Sequence, residues 1–153
     1  MATKEKSIDV EAPVSTLYNQ WTQFEEFPQF MEGVEQVTQL DDQRLHWVAN
    51  VGGQRKEWYA RITEQVPDER IAWTSEGGTF TSGVVRFHRL DENRARVMLQ
   101  MEYDPESIVE EVGDKLGFVT RRVERDLKRF KEFIESRGVE TGAWRGKIER
   151  LVP

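Results

Sequence analysis

The sequence predicts an α+β domain in which a curved antiparallel sheet of about seven strands clasps one long C-terminal helix, with two short N-terminal helices closing an end. Three features predict it. Short segments with alternating apolar residues fill the middle of the chain. Turn formers separate them by too few residues for parallel crossovers, which need about a dozen. After Tyr103 the apolar spacing changes from two to three and four.

Lys4 to Val10 fits a first strand, interrupted by Glu11-Ala12-Pro13. Pro13 suits the first turn of a short helix running to about Gln20, with Val14, Leu17, Tyr18 and Trp21 as its buried stripe. A second short helix or turn covers Phe24 to Phe27, and Pro28 limits its continuation. Further strands fall at Glu35 to Leu40, Arg44 to Val51, a segment carrying Trp58, Ala60 and Ile62, Arg70 to Ser75, Thr79 to Arg89 and Arg94 to Tyr103. Leu45, Trp47, Ala49 and Val51 alternate with Arg44, His46 and Asn50, and Gly52-Gly53 makes a hairpin with the next segment. Asp41-Asp42, Pro67-Asp68, Gly77-Gly78 and Asp91-Glu92-Asn93 supply the other turns. Six strands then form a meander, and the N-terminal strand is free to pair as a seventh.

Ile108, Val112, Leu116, Val119, Val123, Leu127, Phe130 and Ile134 mark one side of the long helix. Asp104 can cap it, Pro105 takes its first position, and Arg137-Gly138 stops it. Acidic residues gather toward its start and Arg121, Arg122, Arg125, Lys128, Arg129 and Lys131 toward its end, matching the helix dipole. The ordinary explanation of that basic run is a solvated helix face. The reading is one domain over residues 1–138 and a tail over 139–153, in which Trp144 packs on the domain or on a partner.

Composition narrows the function classes. A chain of 153 residues has the size of one ordinary domain, and 28 acidic against 22 basic residues give a net charge of -6, which disfavours general nucleic-acid binding. The absence of cysteine excludes disulfides, thiolate catalysis and cysteine-ligated zinc. Neither a secretory leader nor an integral membrane segment is expected, so the expected location is cytoplasmic. His46 and His88 lack metal-ligand spacing, and neither a metal nor a cofactor is implied. Ser75 and Ser82 belong to no recognisable nucleophile, base and acid set, and Asp41-Asp42 and Asp91-Glu92 lie at exposed turns.

Trp47, Trp58 and Trp73 fall in separate strands with Phe87 in a fourth, and on the concave side they either fill the interior or frame a ligand. Phe24, Phe27, Phe30 and Met31 make a candidate rim, and Val112, Leu116, Val119 and Val123 a candidate floor beside Gly113 and Gly117. The candidate ligand-binding residues are therefore Phe27, Phe30, Trp47, Trp58, Trp73, Phe87, Val112, Leu116 and Val119, and no catalytic residue is assigned.

The stretch Trp21-Thr22-Gln23-Phe24-Glu25-Glu26-Phe27-Pro28-Gln29-Phe30-Met31, followed by Gly33-Val34 and the Trp-bearing strands, resembles the polyketide cyclase/dehydrase and START-like lipid-transport superfamily (SRPBCC). Within it the chain looks like the coenzyme-Q-binding-protein-like cyclase branch, from about Lys4 through Arg137. The resemblance implies a helix-grip (START/Bet v 1-like) fold around an apolar cavity. It assigns Trp21, Phe24, Phe27, Pro28, Phe30 and Met31 mainly to an N-terminal lid and its packing. Relatives bind lipids, quinones, hormones or polyketides, and a subset promotes cyclisation or aromatisation, but no distinctive cyclase constellation carries over. The leading expectation is binding of a hydrophobic small molecule, polyketide-like, aromatic, lipid or isoprenoid. One alternative is a cyclase/aromatase promoting aldol closure or dehydration; another is a structural or regulatory partner protein with a filled core, for which a homodimer is the form considered.

Overall fold

The computed structural model describes residues 2–31, 33–51, 54–76, 81–103 and 115–148. The chain runs through β1 (Ala2–Val10), α1 (Val14–Trp21), a 3-10 helix (Phe24–Gln29), β2 (Val34–Gln39), β3 (Arg44–Val51), β4 (Gln54–Val66), β5 (Arg70–Glu76), β6 (Thr81–Asp91), β7 (Arg94–Tyr103) and α2 (Lys115–Arg137). All seven strands form one antiparallel sheet in the order β1-β7-β6-β5-β4-β3-β2. The last six are thus a continuous meander, and β1 closes beside β7 as the seventh, the predicted arrangement. Bulges at Val34/Gln36, Ile62/Glu64 and Arg89/Asp91 add twist, which helps the sheet curl.

One local expectation fails. Pro28 does not end the second short helix but lies inside it, because the turn is 3-10 rather than α. The bonds there, from Glu26 N to Gln23 O and from Phe30 N to Phe27 O, step around the missing proline N–H. The expected start of the long helix at Asp104 and Pro105, with Ile108, Val112 and Gly113, lies outside the described residues, as do the Gly52-Gly53 and Gly77-Gly78 turns.

Ion pairs and main-chain contacts fasten α2 to the β1 edge. Lys6 Nζ lies 3.0 Å from Glu124, Lys131 Nζ donates to the Asp9 carbonyl at 2.8 Å, and the Glu11 N–H donates to Glu135 at 2.9 Å. Gly138, at φ +78°, turns the chain out of the helix, and its N–H donates to Ile134 O at 2.8 Å. Residues 139–148 then return over α1. Gln20 Nε2 donates to Thr141 Oγ1 at 3.0 Å, Trp144 N to Thr22 Oγ1 at 3.0 Å, and Arg145 bridges Asn19 Oδ1 and Asp68 Oδ2 at 2.6 and 2.8 Å. Ile148 finally pairs with Gln65 in an antiparallel bridge, where β4 runs past the end of β3. Asn19, Gln20 and Thr22 are buried beneath this strap, and of the expected apolar stripe of α1 Leu17, Tyr18 and Trp21 are buried while Val14 is only partly covered.

Candidate functional site

The strand register sorts the concave face into two ends. At the first end α1, the 3-10 helix and the C-terminal half of α2 meet the sheet in an aromatic cluster. The Trp21 ring lies 4.9 Å from Phe130 and 5.7 Å from Phe27, while Phe30 lies 5.2 Å from Phe130 and 5.5 Å from Phe133. Phe87 meets Tyr18 edge-on at 5.6 Å. Edge-to-face and tilted geometries of this kind suit the ring quadrupoles, so the cluster is a tightly fitted wall. Phe27, Phe30 and Phe87 are all buried in it, which makes Phe24, Phe27 and Phe30 core residues rather than a mobile rim.

Trp47 joins this wall to the second end. Its ring is 5.6 Å from Phe27 on one side and stacks on Trp58 on the other, at 5.9 Å with the planes 5° apart. The two tryptophans face each other across the β3/β4 ladder, which places them on the same face of the sheet. Beyond them Trp58, Trp73 and Met101 pack against the core and are only partly buried.

Trp73 is held in place by a missing side chain. It sits opposite Gly83, which in turn sits opposite Met101. A Cβ added at Gly83 would lie 2.6 Å from Trp73 Cζ2 and 3.0 Å from Met101 Sδ, so the indole lies across the glycine toward the methionine. Of the remaining candidates, Leu116 and Val119 fall in the first turns of α2, and Val112 lies outside the described residues. Sequence reading missed Gly83 and Met101, although Met101 shares the parity of the buried Val97 and Leu99.

The polar inventory of the inner face is short. Trp47 Nε1 is buried and has no acceptor among the described residues, as is the case for Trp21 Nε1. His46 points the other way, 3.6 Å from Glu57 and with its ring tilted against Tyr59 at 5.0 Å on the outer face, and His88 is exposed. Burial pushes the Tyr18 phenol up, with the neighbouring Gln65 amide acting against it. Among the described residues no group of His, Asp and Glu is placed to hold a metal, and no helix is long and apolar enough to cross a membrane.

Comparison with known proteins agrees with this architecture. Residues 10–132 match the family described as polyketide cyclase / dehydrase and lipid transport. A 17.2 kDa protein of Streptomyces lincolnensis is 59% identical over 149 residues, covering 97% of this chain and 99% of that protein. The Zhui aromatase/cyclase from a Streptomyces species superposes with a TM-score of 0.75 at 19% identity, over 94% of this chain and 99% of the other. A START superfamily protein from Mycobacterium smegmatis gives 0.69 at 13% identity, over 88% and 95%. At those identities the solved structures establish the likeness of fold.

Proposed function

Because the chain belongs to the polyketide cyclase/dehydrase and lipid transport family, we propose that it binds a hydrophobic small molecule between the inner sheet face and α2. The ligand is polyketide-like, aromatic, lipid or isoprenoid in character. One observation carries this reading: Trp58, Trp73 and Met101 stay partly uncovered on a concave face whose other end is completely packed. Covering such rings with an apolar ligand is favourable by about 25 cal/mol per Å² removed from water. The stacked Trp47–Trp58 pair offers a flat, rigid platform, and the Trp47 N–H is a desolvated donor for a ligand oxygen.

Binding without chemistry is the better-supported form of this proposal. Both histidines lie on the outer side of the sheet, away from any bound molecule that would need a general base. The test is native mass spectrometry of gently purified protein, followed by denaturation and identification of whatever is released. A stoichiometric apolar molecule, displaced with a change in tryptophan fluorescence, is the expected result. No retained molecule, together with no binding across a broad hydrophobic library, would overturn the reading.

A further inference from the structure

The face of α2 turned away from the sheet is strongly basic, although the chain as a whole is acidic. Val123, Leu127, Phe130 and Ile134 point inward and are buried. With 3.6 residues per turn, the opposite side of the helix holds Arg121, Arg125, Lys128, Arg129 and Glu132, and all five are exposed. Four cations and one acid thus form a crest about 16 Å long, in a chain whose net charge is -6.

The helix dipole, which the basic run was expected to match, does not account for this crest. Its influence is confined to the last turn, where the basic residue is Arg137. Arg121, Arg125 and Arg129 instead follow one another at steps of four, a spacing at which like charges repel and destabilise a helix. The acids beside the crest are held to one flank, Glu124 by Lys6 of β1 and Glu135 by Lys131 and the Glu11 N–H. On the other flank Arg122 reaches across to the Asn50 carbonyl. Arg125 and Asp126 have further interactions within the protein. Arg121, Lys128 and Arg129 join no ion pair among the described residues.

We propose that this crest docks the protein on an anionic membrane surface, where lipid phosphates supply the counter-charge that the helix itself does not. Every side chain of the crest is charged, so it has no apolar centre of the kind around which protein–protein interfaces are built. A headgroup layer needs no such centre, because it presents many phosphates at once to a convex helix. Arginine supplies three of the four cations and suits phosphate through its paired N–H donors. The apolar stripe of α2 is committed to the core, so the helix lies on such a surface without entering it, and the dock is weak, reversible and sensitive to salt. Docking of this kind belongs to the outer face of α2 and stands whether or not the cavity holds a ligand.

Co-sedimentation of the whole chain with two kinds of vesicle tests this, one of phosphatidylcholine alone and one of equal parts phosphatidylcholine and phosphatidylglycerol. Wild type is expected to sediment with the anionic vesicles at low salt and not with the neutral ones. It should be released as salt approaches about 1 M, where the screening length falls to about 3 Å. An Arg121→Gln, Lys128→Gln, Arg129→Gln triple variant is expected to lose about a hundredfold in partitioning, since each basic residue near an anionic surface contributes about 1 kcal/mol. A second triple variant, Arg55→Gln, Arg61→Gln, Arg86→Gln, removes the same charge from exposed positions on the outer sheet face. Its partitioning should change less than about fivefold, the worth of one such contact. Urea midpoints close to wild type show that both variants are folded. Equal losses in the two variants would reduce the effect to net charge and overturn the crest. Failure of wild type to sediment with anionic vesicles at low salt overturns the membrane, and retention on polyglutamate in that case assigns the crest to an acidic protein.

Discussion

The two ends of the concave face are built from the same kinds of side chain and are put to opposite uses. At one end Trp21, Phe27, Phe30, Phe87 and Phe130 contact each other from α1, the 3-10 helix, the sheet and α2, and all are buried. At the other, Trp58 and Trp73 have sheet neighbours and lateral support but are only partly covered. An aromatic residue on a curved sheet is thus core or binding surface according to what lies over it. Residue type alone does not decide between the two.

The comparison is broken most directly at the packed end. Phe130 touches both Trp21 and Phe30, so Phe130→Ala removes the ring that ties α2 to two elements at once. A loss of about 3–5 kcal/mol is expected, because the surrounding rings relax only partly into the space left. Urea denaturation measures it. A loss below about 1 kcal/mol would mean that the cluster is loosely packed and the contrast between the ends is unsound.

Gly83→Ala probes the boundary between structure and surface. The new methyl would overlap the Trp73 ring and crowd Met101, and an overpacked position of this kind costs about 1–3 kcal/mol. Because the indole has to move, its fluorescence should shift and ligand affinity should fall more than stability does. Unchanged emission would show that Trp73 does not rest on Gly83.

Trp58→Ala sharpens the comparison from the open side. A partly exposed ring stacked on one neighbour contributes less to the fold than a fully enclosed one, so about 1–2 kcal/mol is expected, below the cost at Phe130. Affinity for an apolar probe should fall at least tenfold. If stability falls as far as it does for Phe130→Ala while binding is unaffected, Trp58 belongs to the core and the site lies elsewhere.

The strands and their order were readable because alternation reports directly on a face half in water, and because short turns leave few topologies. Division of the inner face was not readable. Phe27 and Phe30 look as available as Trp58 until α1 and α2 are in place, since burial is decided by elements far apart in the chain. The strap illustrates the same point. Asn19 and Gln20 lie off the predicted apolar stripe of α1 and Thr22 beyond its predicted end, yet Glu140, Thr141 and Trp144, more than 100 positions later, supply their partners.

The smallest expected effect lies at neither end but around β1, where the Asp9 carboxylate pairs with β7 and the Glu11 N–H just beyond the strand reaches Glu135 of α2. Arg96 donates to Asp9 at 2.7 Å and holds its carboxyl below the ordinary value of 3.8; Lys131 at 2.7 Å, with the Glu11 N–H, does the same for Glu135 relative to 4.5. Both groups bind protons less readily folded than unfolded. Their contribution to stability is therefore fully present above the unfolded values and is lost as pH falls through the lower folded ones. Stability should be level from neutral pH down to about 5 on their account, then decline toward pH 2, with the decline reduced in an Asp9→Asn, Glu135→Gln double variant. Because both carboxylates are about one-third exposed, solvent screening keeps the effect modest, and a thermal melt series across that range reads it. An identical acid decline in the double variant would assign the pH dependence to other carboxylates, and the Asp9–Arg96 and Lys131–Glu135 pairs would then contribute nothing to acid stability.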